Sequence, residues 1–126
     1  MNELREVSVE VRRLSAAEAE LWISIGAEQV TPTTEVRGRT IGPRCPGITT
    51  VEVAYPLQPF PRHPEGLTPL SRRVAIPDPS LWEPDRPFLY RIVIELWQDG
   101  VRCDAAELDY GLRIAVSGKG RTRDTV

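Results

Sequence analysis

The chain has 126 residues, 40% hydrophobic and 27% charged, with a net charge of −2 from 18 acids and 16 bases. That length gives one domain able to bury roughly two-thirds of its unfolded surface, and the composition excludes disordered and fibrous classes. Fifteen of the bases are arginines scattered along the sequence, so the concentrated basic excess of a nucleic-acid binder is missing. No apolar run approaches the roughly 20 residues of a membrane helix. The opening MNELREVSVEV lacks the uninterrupted apolar segment of a signal peptide. A cytoplasmic location, with no membrane or nucleic-acid partner, is the expectation. Cys45 and Cys103 are then expected as reduced thiols rather than a disulfide. Twelve prolines and nine glycines leave little room for a stable helix, while strands need only about five or six residues.

Val7, Val9 and Val11 alternate with Ser8, Glu10 and Arg12, the pattern of a half-buried strand. Leu21, Ile23 and Ile25 repeat it. Between them Ser15-Ala16-Ala17-Glu18 fits a helix capping box. Because the alternation continues through Ile25, a turn or single helical turn is expected there rather than a helix over 15–21. Thr34 to Ile41 is a weaker strand, and Gly42 to Gly47 a loop by composition. Thr49 to Leu57 alternates again and loses ladder donors at Pro56 and Pro59, so it ends at an edge or leaves the sheet. Residues 56–69 hold five prolines and are expected to cross the surface between sheets. Their PxxP spacings fit a polyproline reader less well than a stiffened connection. Ser71 to Ile76 forms a short strand with Val74 and Ile76 inward. Tyr90, Ile92, Ile94 and Leu96 line one face of a strong strand, with Leu89, Val93 and Trp97 on the other. Asp99-Gly100 is the hairpin signal. Val101 to Val116 returns, bent or bulged near Asp109 to Gly111, and residues 118–126 form a flexible polar tail.

Seven to eight strands separated by turn signals give an all-β chain, an immunoglobulin-like antiparallel β-sandwich over residues 1–117. The stretch from Ile76 to Val116 carries the more specific signal. Pro79, Leu81-Trp82, Pro84 and Pro87-Phe88-Leu89-Tyr90 precede an alternating strand, Asp99-Gly100 and Gly111-Leu112-Arg113. In that order and spacing it resembles the immunoglobulin-like sandwich domain of family 2 glycoside hydrolases, the β-galactosidase, β-glucuronidase and β-mannosidase group. Leu112 departs from the aromatic residue usual there. The resemblance implies an accessory domain lying between a sugar-binding jelly roll and a catalytic barrel. It implies a structural role for Trp82, Pro84, Pro87, Tyr90, Asp99, Gly100, Gly111 and Arg113.

The physics of these residues stands beside the resemblance. Trp82 offers a large apolar surface, and the prolines lower the entropy lost on ordering its loop. The Tyr90 hydroxyl is placed to reach back to the loop backbone, as a tyrosine corner does. Gly111 permits a bulge or close packing before Arg113.

Catalytic chemistry has weaker support. Glycoside hydrolysis needs two carboxylates roughly 5–10 Å apart across a sugar site, and the barrel that carries them in such enzymes needs at least about 200 residues. Glu83, Asp85, Glu95 and Asp99 fall at turns or on alternating faces, where acids are ordinarily solvated. His63 is the single histidine, so a metal site joining it to Cys45 and Cys103 is not expected, nor is any cofactor. Gly118 to Thr122 lacks phosphate-loop spacing. The sequence therefore points to a non-catalytic scaffold or interaction module that binds other domains or itself. Two alternatives remain: a carbohydrate-binding module using exposed Trp22 and Trp97, and a fragment of a larger glycoside hydrolase.

Overall fold

A computed structural model describes residues 1–113. Ten strands form. They are β1 (Leu4–Leu14), β2 (Glu18–Ala27), β3 (Thr34–Arg44), β4 (Val53–Pro56), β5 (Gln58–Pro59), β6 (Arg72–Pro77), β7 (Trp82–Glu83), β8 (Arg86–Pro87), β9 (Leu89–Gln98) and β10 (Val101–Tyr110). Eight make two four-stranded sheets, in the orders β1-β2-β6-β5 and β10-β9-β3-β4, and β7 and β8 form a separate hairpin. The sequence expectation of seven to eight strands misses that hairpin. Its ladder has two residue pairs and a proline in one strand, too little for any periodicity to show.

The sheets pack through the residues whose alternation is clearest. Leu21, Ile23 and Ile25 of β2 and Ile92, Ile94 and Leu96 of β9 are all fully buried, with Val74 and Ile76 of β6 beside them. Each such side chain contributes about 1.5–3 kcal/mol relative to exposure. The turn expected at Ser15 forms without a helix. The Ser15 hydroxyl accepts from Ala17 and Glu18 N–H, each at 3.2 Å.

Polar ties hold the layers together. The Arg72 guanidinium donates to the carbonyls of Pro69, Leu70 and Ser71, and across the sandwich to Val36 O of β3 at 3.3 Å. Where the β2–β6 ladder stops, Ser71 Oγ accepts from Ile25 N–H at 3.1 Å and the Thr68 hydroxyl donates to Ile25 O. On the opposite side Leu4 N–H donates to Asp104 Oδ2 at 2.8 Å, linking the free edge of β1 to β10.

Three expectations are corrected. Gly42 to Arg44 belong to β3 rather than to a loop, and the turn closes at the Cys45–Ile48 bridge. Thr49 to Glu52 form no strand, since β4 pairs with β3 only from Val53 onward, opposite Gly42. Alternation reports which way side chains point, but a ladder also needs a neighbour. The irregularity in β10 falls between Arg102 and Asp104, not near Asp109 to Gly111. The segment after Pro56 does cross between sheets, leaving β4 in one and entering β5 in the other. The expectations for the tail 118–126 and for Gly118 to Thr122 lie outside the described residues.

Candidate functional site

The Pro79–Tyr90 segment builds a tight corner at the start of β9. Ser80 N–H donates to the Tyr90 hydroxyl at 2.9 Å. Burial raises the Tyr90 pKa above its ordinary value, so the phenol stays neutral as an acceptor. Trp82 N–H donates to Leu112 O at 2.7 Å. The Trp82 ring lies over Gly111 so closely that a Cβ there would meet Trp82 Cδ1 at 2.6 Å. The Arg113 guanidinium lies 4.7 Å from the ring centroid. Pro84 falls in the turn of the β7–β8 hairpin, and Pro87 pairs with Trp82. At the far end of β9, Asp99 and Gly100 take φ of 53° and 78°, the left-handed pair that a two-residue hairpin turn requires. None of these residues lines the concave site on the neighbouring sheet face.

Trp22 and Trp97 lie on the outer faces of different sheets. Trp22 points away from the core on β2, and Trp97 does so on β9. One flat ligand therefore cannot stack on both. Each ring is also already covered: the Arg12 guanidinium sits 4.0 Å from the Trp22 centroid, and that of Arg37 3.9 Å from the Trp97 centroid. The Trp22 indole N–H donates to Glu20 at 3.0 Å, and that of Trp97 to Glu95 at 3.1 Å. Arg73 pairs with Glu20 and Arg102 with Glu95. The indole donors and, after them, the arginines hold both carboxyls below their ordinary pKa. The Phe60 ring meets Trp22 edge-on at 5.0 Å. The same clasp of Trp, Glu and two Arg thus occurs on each face.

The other candidates are dispersed. Glu83 and Asp85 are exposed in the β7–β8 hairpin, and Asp99 is tied in its turn to the Thr33 hydroxyl. His63 is exposed in the connection before β6. Cys45 and Cys103 are free thiols, directed at the carbonyls of Pro46 and Leu96. Among the described residues no three His, Cys, Asp or Glu are grouped to hold a metal. No helix among them is long and apolar enough to cross a membrane.

A concave site does form on the outer face of the β10-β9-β3-β4 sheet, with a volume of about 390 Å³. Two rungs of the sheet make its base. One runs Pro56–Arg39–Val93–Glu107 and the next Ala54–Ile41–Arg91–Asp109. Leu89 extends the apolar surface, and Arg44, Cys45, Pro46 and Glu52 of the β3–β4 connection complete the lining. Arg44 grips Glu52 with two donors, at 3.2 and 3.1 Å. Arg91 is shared by Asp109 at 3.1 Å and Glu107 at 3.7 Å. Two carboxylates beside Arg91 raise its pKa, the Asp109 hydrogen bond most. Sequence reasoning missed this groove because its residues come from three strands and the β3–β4 connection, and each local pattern reads as a solvated face.

Known proteins share this fold. No curated protein matches the chain in sequence. Among solved structures, a beta-glycosidase from Bacteroides vulgatus superposes with a TM-score of 0.57 at 18% identity, over 88% of this chain and 13% of that one. A family 2 glycosyl hydrolase from Bacteroides cellulosilyticus gives 0.60 at 19% identity, over 88% and 14%. A beta-glucuronidase from Ruminococcus gnavus, in complex with D-glucaro 1,5-lactone, gives 0.59 at 18% identity, over 90% and 16%. At such identities the likeness is one of fold, and the chain spans about one-seventh of the length of these enzymes. The sequence pattern of glycosyl hydrolases family 2 matches residues 4–113, from the first residue of β1 through the Arg113 that lies over Trp82. The chain belongs to glycosyl hydrolases family 2.

Proposed function

We propose that this chain is a non-catalytic accessory domain, a cytoplasmic interaction module that holds neighbouring protein surface against the outer face of the β10-β9-β3-β4 sheet. The groove on that face carries the reading. It is preformed, has an apolar base, and its acids are engaged by Arg44 and Arg91 rather than aimed at a reacting bond. A glycosidase acid needs a carboxyl whose pKa is raised. Among the described residues the carboxyls that shift, Glu20, Glu35 and Glu95, all shift downward.

Pure protein given nitrophenyl glycosides should show no turnover. Turnover abolished by replacing a single carboxylate would end the non-catalytic reading. Titration with simple galactosides and glucuronides should leave tryptophan fluorescence unchanged, because an arginine already stacks on Trp22 and another on Trp97. Saturable quenching would favour a carbohydrate-binding module instead.

A further inference from the structure

We propose that the groove receives a protein segment carrying an acidic, an apolar and a basic side chain in succession, with its acid on Arg39. This rests on the interaction-module reading and names the chemistry of the partner.

The groove is electrically uneven across its strands. On the β3 side Arg39 is exposed and has no hydrogen bond or ion pair of its own among the described residues. Glu95, on the neighbouring strand, is held by the Trp97 indole and Arg102, and the Arg39 charge acts on it through space only, as the weakest of its influences. On the β10 side the imbalance is reversed, since Glu107 and Asp109 share the single cation of Arg91. Arg44 and Glu52 neutralise each other. One cation without an ion pair therefore faces one surplus carboxylate across two strand spacings, about 10 Å. Ile41, Leu89 and Val93 lie between and beside them, half-buried although they point to solvent. An apolar side chain seated on these three removes them from water. Flanking charges of opposite sign complete both ion pairs. Such pairs set register and orientation more than they set raw affinity.

The probe is the peptide acetyl-Glu-Thr-Leu-Thr-Lys-amide, whose three distinctive side chains share one face of an extended chain. Its control carries Gln in place of Glu. Titration into the ¹⁵N-labelled chain should shift the amides of Ile41, Leu89 and Val93 saturably. Binding should weaken at least about fivefold for the Gln peptide, and equally for the Glu peptide against Arg39→Gln. The Gln peptide should not distinguish Arg39→Gln from wild type. Arg39→Gln should melt close to wild type, since Arg39 acts only through space on Glu95, which the Trp97 indole and Arg102 already hold. Shifts confined to other surfaces, or equal affinity for both peptides, would overturn the assignment. So would free glutamate shifting the groove as strongly as the peptide, which would make it an anion site. If the peptide fails while glycosides stay silent, only the groove assignment falls. Turnover or tryptophan quenching removes the accessory-domain reading itself.

Discussion

The two ends of the β9–β10 hairpin are held by different physics. At the Tyr90 end, fit decides. Gly111 leaves no space beneath Trp82, and a Cβ on Gly42 would lie 2.7 Å from Tyr90 Cδ1. At the Asp99 end, polar groups decide. Thr34 Oγ1 donates to Gln98 Oε1 at 2.7 Å, and Gln98 Nε2 reaches Thr31 and Thr33 at 2.9 and 3.0 Å. Asn2 joins this network through Gln98 and Gln29. No Cβ placed on Gly100 would meet anything within 4 Å, so there only the backbone conformation discriminates. One end is specified by shape, the other by turn chemistry and hydroxyl bonding, and both join segments far apart in sequence. Shape should be the less forgiving of the two.

Gly111→Ala should give the largest loss, about 2–3 kcal/mol in urea unfolding, because overpacking pushes Trp82 off its seat. A smaller loss than that of Gly100→Ala would break the contrast between the ends. Tyr90→Phe should cost about 1–2 kcal/mol, leaving Ser80 N–H without its acceptor. Near-wild-type stability would show that water replaces the phenol there. Gly100→Ala should cost about 1 kcal/mol from left-handed strain alone, and Gly100→Asn less, a ranking that isolates backbone conformation from packing.

The carboxylate clasps belong to neither end and should give the smallest effect. Glu20 has a folded pKa below its unfolded value, first through the Trp22 N–H and then through Arg73. Its contribution is full above the unfolded value of about 4.3 and fades as pH falls through the lower folded value. Urea stability measured from pH 6 to pH 3 should therefore decline less steeply in Glu20→Gln than in wild type. Parallel curves would exclude a stabilising clasp.

Much of the sandwich could be read from sequence because one face of each long strand is fully apolar. Ile92, Ile94 and Leu96 specify their own direction, and Asp99-Gly100 specifies its own turn. What escaped was decided by neighbours. Val51 continues the alternation into β4 yet is 83% exposed, because β3 turns away at Cys45 before it can pair there. Cys103 sits at a bulge with no glycine to announce it. The corner was visible as an ordered set of residues, but not that Trp82 would be half-buried and packed on Gly111. The groove needed Arg39, Arg91 and Glu107 to be aligned by register across three strands. The tryptophans were visible as aromatics, while their arginine covers come from other strands, β1 for Trp22 and β3 for Trp97.

The bond from Leu4 to Asp104 has a consequence for how copies of this chain behave when crowded. It occupies one backbone donor at the margin where a stray strand would add. Irregular register at Arg5 and Arg12 interrupts the rest, leaving only Glu6 to Val11 as an even template. Fibril-like stacking of that short piece would set Glu6 on Glu6 and Glu10 on Glu10 at about 4.8 Å. Repulsion between like charges opposes that growth, so the longest margin left unpaired among the described residues resists amyloid-type assembly.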